Sequence, residues 1–86
     1  MDFEFDPAKS MSNLLKHGIS FDEARRLWRD PDILIIRARL VDEPRWIAIG
    51  RINKRTWSAV FTLRKERIRI ISVRRSRAKE KALYES

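Results

Sequence analysis

Histidine is the side-chain type that changes charge near neutral pH, and this 86-residue chain has one, His17. Lys9, Asn13, Lys16 and His17 follow one another at spacings of four, three and one, which places them on one polar face if the segment is helical. The structural alternative for His17 is a cation at a helix C-terminus that satisfies free carbonyls. Towards the other end of the chain stand Arg64, Arg67, Arg69, Arg74 and Arg75, then Glu80 and Tyr84 at i, i+4. This inventory suits cleavage of RNA without a metal. The 2′-hydroxyl of RNA is its own nucleophile, so a protein need supply only a base, an acid and cations around the phosphate. Arg64 and Arg74, near strand ends, are the expected phosphate clamp. Lys9, His17, Glu80 and Tyr84 are the candidates for proton transfer or positioning. Lys16, Arg45, Arg67, Arg69 and Arg75 are expected to contact the RNA. Each arginine has a plain alternative as a solvated surface charge, and Tyr84 has one as core padding.

Composition narrows the field. A chain of this length makes one domain, residues 1–86, because half of it cannot build a core. The absence of cysteine excludes disulfide scaffolds, cysteine-based zinc sites and a cysteine nucleophile. One histidine leaves little for a metal site, and neither metal nor cofactor is expected. No Gly-rich phosphate loop is present, so nothing supports a GTPase or kinase. No apolar run reaches membrane-spanning length and the N-terminus does not read as a signal peptide, so a soluble cytoplasmic protein is expected, with no membrane partner. The formal charge is +8, unevenly spread. Residues 1–44 carry 7 basic and 9 acidic side chains, whereas residues 45–86 carry 13 and 3. A half-chain of net +10 calls for a polyanion or an acidic protein. An enzyme acting on RNA and a non-catalytic nucleic-acid-binding or regulatory module both fit that demand.

The elements that must position these groups follow from punctuation and period. Phe3-Glu4-Phe5 alternates as a short strand. Asp6-Pro7 opens a helix that ends at Gly18. Ser20 and Glu23 form a capping box for a second helix reaching Arg29, before Pro31. Strands are expected over 33–40, 45–52, 56–64 and 67–74, with turns at 42–44, 53–55 and 65–66. Trp57, Ala59, Phe61 and Leu63 share one face of the third of these. In the fourth, strict alternation sets Arg67 and Arg69 on one face and Arg74 on the other, unless the strand bulges. Ser76 caps a last basic helix. The order β-α-α-β-β-β-β-α predicts an α+β fold, with two N-terminal helices and one C-terminal helix packed on an antiparallel sheet. Trp28, Trp46 and Trp57 are expected in the core.

Three blocks of the chain resemble the BrnT family. The first is Phe3-x-Phe5-Asp6-Pro7-x-Lys9-x-x-x-Asn13-x-x-Lys16-His17-Gly18-Ile19-x-Phe21-x-x-Ala24. The second is Glu43-Pro44-Arg45-Trp46-Ile47-Ala48-Ile49-Gly50. The third runs from Val60-Phe61-Thr62-x-Arg64 through Arg69-Ile70-Ile71-Ser72-x-Arg74-Arg75 to Glu80 and Tyr84. Phe5 stands where the family often has Trp, and Val73 where it often has Ala; neither swap removes a candidate polar group. The resemblance implies a RelE-like fold and metal-independent RNA cleavage by the toxin of a type II toxin–antitoxin pair. It further implies a BrnA-like ribbon-helix-helix antitoxin as partner, with operator DNA reached only through that antitoxin. The antitoxin is expected on the basic half, residues 45–86.

Overall fold

The computed structural model describes residues 2–38 and 43–86. The chain runs β1 (Phe3–Glu4), α1 (Pro7–His17), α2 (Phe21–Ala24), a 3₁₀ turn (Arg25–Arg29), β2 (Leu34–Arg37), β3 (Trp46–Ile52), β4 (Arg55–Arg64), β5 (Arg67–Arg75) and α3 (Ala78–Glu85). This is the expected α+β order. No helix among the described residues is long and apolar enough to cross a membrane.

One sheet of five strands is formed, in the order β1-β5-β4-β3-β2. Strands β2 to β5 are an antiparallel meander, as the short turns between them require. β1 joins the free edge of β5 in parallel, Phe3 beside Ile68 and Glu4 beside Arg69, and this makes the sheet mixed. The return from β1 to β5 passes through α1, α2 and three strands, a crossover long enough for parallel pairing. Of the strand expected over 33–40, Leu34–Arg37 is observed; residues 39 and 40, like Asp42 of the expected turn, lie outside the described residues.

The helix expected to reach Arg29 is α-helical only through Ala24. Beyond it the tighter 3₁₀ turn stacks i and i+3 on one line, and Ala24 and Leu27 are thereby both fully buried against the sheet. Gly50 of β3 makes that approach possible. A Cβ there would lie 3.0 Å from Leu27 Cδ2 and 3.3 Å from Asp30 Oδ2. The core sits between these helices and one sheet face. It holds Ile19, Phe21, Ala24, Leu27, Ala48, Trp57, Ala59, Phe61, Ile70 and Val73, with Trp28 and Trp46 packed at its margin.

Sequence alternation fails at one place, with consequences for the site. β4 and β5 pair Phe61 with Ile70 but Val60 with Ser72, so Ile71 is an extra residue in β5. This bulge reverses the phase of β5. Ile68 and Ile70 face the core before it, and Val73 after it. Arg74, opposite Ser58, therefore shares the outer sheet face with Arg67 and Arg69, and Arg64 lies there too. The separation of Arg74 from Arg67 and Arg69 by strict alternation does not hold. Arg75 turns to the helix side, where its guanidinium lies 5.7 Å from the Trp57 ring centre.

Past Glu4 the edge of β5 has no strand beside it, and α1 takes that place. Asn13 donates through Nδ2 to the carbonyls of Val73 and Ile19, both at 2.9 Å, and its Oδ1 accepts the Val73 N–H at 3.2 Å. Ser10 Oγ accepts the N–H of Phe21 at 2.9 Å. Both side chains are buried. Asn13→Ala strands the N–H and C=O of Val73 in a dry setting, and should cost roughly 2–4 kcal/mol by urea unfolding. A loss below about 0.5 kcal/mol, the usual surface range, would show that the amide is dispensable.

Candidate functional site

The polar face of α1 forms as its spacing requires. Asp6 caps the helix, its Oδ1 accepting the Ala8 N–H at 2.8 Å, and Pro7 occupies the first turn. Gly18, at φ +80°, closes the C-terminus by donating its N–H to the Leu14 carbonyl at 2.9 Å. The backbone thus does the capping. Among the described residues the His17 ring has no hydrogen-bond partner. With Asn13 anchored to β5, the rest of that face looks over the bulge. Lys9, Ser12, Lys16 and His17 line a depression of about 220 Å³ whose floor is Ile71 and Ser72. Lys9 and Lys16 are exposed, and neither is paired with a carboxylate among the described residues. The depression is cationic and holds the chain's one imidazole.

Arg74 and Glu80 meet beside it under α3. Arg74 Nη1 and Nη2 donate to Glu80 Oε1 and Oε2 at 2.7 and 2.8 Å, a two-pronged pair. Glu80 also accepts from Ser58 Oγ at 2.9 Å and from the Arg77 N–H at 2.8 Å. The Oγ atoms of Ser58 and Ser76 lie 2.8 Å apart. Arg77, rather than Ser76, is the N-cap of α3. The Arg74 guanidinium, with help from the Arg77 N–H and the Ser58 hydroxyl, outweighs burial and holds the Glu80 carboxyl down at about 2. Arg74 is correspondingly raised. A carboxylate held so firmly ionised is a fastener for Arg74 and the start of α3, and a poor proton donor.

Tyr84, one turn further along α3, reaches a different place. Its hydroxyl donates to Asp30 Oδ2 at 2.5 Å, and the Arg51 guanidinium lies 5.6 Å from its ring centre. The Asp30 hydrogen bond, together with burial, pushes the Tyr84 hydroxyl up to about 12. Burial pushes the Asp30 carboxyl up. The Tyr84 hydroxyl and the N–H groups of Arg51 and Asp32 outweigh that and leave it below its ordinary value. Tyr84 and Asp30 together pin α3 to the loop before β2.

The remaining candidates spread along the outer face. Arg64 stands opposite Arg67, six residues along β4 from Ser58 and its partner Arg74, hence about 20 Å away at ~3.3 Å per residue. With Arg74 tied to Glu80, the two arginines cannot grip one phosphate; the clamp expected of them is split into two positions on one face. Arg64 lies 3.8 Å from Glu43, and Arg69 Nη1 donates to Glu4 at 2.7 Å. Arg45 buries its Nε with no hydrogen-bond partner among the described residues. Across the same face Ile36, Ile47, Val60 and Ser72 form a half-buried row. Sequence reasoning placed Asn13 with the polar face but missed its structural task. It also missed Ser58, Ser72 and Asp30. Only the short Ser-x-Arg-Arg-Ser run hinted at a polar cluster there.

The acid behaviour of Glu80 follows from its carboxylate. Between about 4.5 and about 2 the unfolded chain binds a proton that native Glu80 refuses, so its contribution is intact above that window and is lost as pH falls through it. Glu80→Gln should cost about 1–3 kcal/mol at neutral pH and flatten the acid limb of a stability–pH curve. An unchanged limb would show that other carboxylates govern it.

Comparison with known families completes the picture. No curated protein matches the chain. A family model described as the ribonuclease toxin BrnT of type II toxin–antitoxin systems matches residues 5–80. The match takes in α1 with its Lys-His-Gly end, the whole meander with its bulge, and α3 as far as Glu80. The residues that build the depression and the Arg74–Glu80 pair all fall inside it, and the chain belongs to the BrnT family of ribonuclease toxins.

Proposed function

We propose that this toxin cleaves RNA without a metal, at the depression between α1 and the bulge of β5. The observation that carries the reading is the convergence of Lys9, Lys16 and His17 over Ser72, next to a sheet face bearing Arg67, Arg69 and Arg74. An RNA strand lying on that face meets guanidinium groups along its backbone and two ammonium groups at the scissile phosphate. The 2′-oxygen attacks phosphorus and the bond to the 5′-oxygen breaks, leaving a 2′,3′-cyclic phosphate and a 5′-hydroxyl. His17 carries the proton of this exchange, while Lys9 and Lys16 neutralise charge gathering on the phosphoryl oxygens. Arg74 is a preorganised cation because Glu80 fixes it. Glu80 and Tyr84 act as positioning residues that hold α3 in place. Arg64 and Arg67 contact the RNA further along, and Arg45 and Arg69 contact it on the same face. Arg75, on the helix side, is left to Trp57.

The partner in this reading is a BrnA-like ribbon-helix-helix antitoxin, through which the pair reaches its operator DNA. An acidic protein answers the +10 of residues 45–86 as well as RNA does.

Cleavage of a defined RNA by purified protein tests the proposal. His17→Ala should lower the rate about 10²–10⁴-fold, and Lys9→Ala or Arg74→Ala about 10²–10³-fold, in variants whose melts stay near wild type. Arg55→Ala, at the exposed start of β4, should be unaffected. Chelator should change nothing. Undiminished cleavage by folded His17→Ala and Lys9→Ala would move the site elsewhere, and loss of wild-type activity in chelator would end the metal-free mechanism.

A further inference from the structure

The helix side of the sheet is not fully covered. Where the 3₁₀ turn ends, Trp28, Ile35, Trp46, Phe61, Leu63 and Ile68 line an open apolar groove of about 330 Å³. Ile35 and Leu63 at its mouth are 45% and 52% exposed. Trp28 and Phe61 are locked edge to face at 5.2 Å, and Trp46 stacks on Phe61 at 5.9 Å, so the walls are stiff and preformed. Leaving two branched aliphatic side chains in water beside an aromatic wall forgoes burial that a folded domain ordinarily takes.

The rim of this groove is cationic. Arg37 lies over Trp46 at 5.5 Å, and Lys65 stands in the turn that joins β4 to β5, two residues past Leu63. Neither is paired with a carboxylate among the described residues, and Glu66 is the one acidic side chain in that turn. The side chains open to a partner are the aliphatic Ile35 and Leu63, whereas Phe61 is buried and the three rings are packed on one another, so the groove suits the apolar side chains of a peptide with acidic flanks better than bases, which need a free ring face to stack on. The groove also opens beside β2, which is the sheet's outermost strand on this side.

We infer that this groove docks an acidic, apolar-anchored segment of the toxin's protein antitoxin, two or three of whose side chains fill it. The inference rests on the proposed antitoxin partnership but not on the proposed catalytic residues. It places the anchor on the helix side of the sheet, away from the depression over Ser72. Affinity is then built at one surface, and blocking of RNA at another by the rest of the antitoxin.

The test uses the full toxin and a purified BrnA-like ribbon-helix-helix antitoxin. Ile35→Glu and Leu63→Glu change exposed side chains and should leave both the melt and RNA cleavage near wild type. Together they should weaken antitoxin binding at least 100-fold by calorimetry and release cleavage from inhibition. Arg37→Glu should weaken binding about tenfold or more, and less so at high salt. Wild-type affinity in the Ile35→Glu/Leu63→Glu protein would overturn the inference. So would a change from dimer to monomer in light scattering with antitoxin affinity unchanged, since the groove would then seat a second copy. Should the wild type cleave no RNA while these variants still lose the antitoxin, the catalytic proposal falls and the docking site stands.

Discussion

The amide of Asn13 does for β5 what a neighbouring strand would do. It accepts from and donates to Val73 as a peptide group would, and with the same Nδ2 ties in the carbonyl of Ile19. A sheet edge inside a small domain must be paired, covered or exposed, and here a helix covers it with one side chain shaped like a peptide. Everything on the other faces of α1 is placed by that bond. Because residue 13 points at the sheet, residues 9, 16 and 17 cannot leave its edge. The cationic depression is a by-product of satisfying two backbone groups.

The bulge at Ile71 is the second constraint. Val73 must be buried, and so must Ile70, yet they are three residues apart in a strand whose faces alternate. An extra residue resolves this, and the cationic face follows. The same device leaves Ser72 looking out beside Val60 and Ile47. Apolar packing on one side of the sheet therefore sets the spacing of guanidinium groups on the other.

Much of this was legible in the residues. Asp6-Pro7 and Gly18 bound α1 as expected, because caps depend on local chemistry alone. The meander was equally plain, since short turns leave strands no option but antiparallel neighbours. What could not be read depended on distant partners. The parallel pairing of β1 joins residues some 65 apart, and its two residues carry no sign of orientation. The shortening of α2 reflects the fit of Leu27 against Gly50. In the site, the shared face of Lys9, Lys16 and His17 was readable from helical spacing. The joint clamp of Arg64 and Arg74 was not a sound reading, because proximity to strand ends says nothing about which end. Glu80 and Tyr84 do share a helix face, but one turn of helix carries them to different partners.

The bond between Asn13 and Val73 also fixes an order of events. It closes a loop of 60 residues, whereas the hairpins joining β3, β4 and β5 close over a few. During synthesis α1 leaves the ribosome early and has no edge to dock on until β5 follows. The depression has no floor before Ser72 exists, and no hold on α1 before Val73 does. A still-growing chain thus carries the basic groups without their arrangement, and the depression takes shape only once β5 has been made.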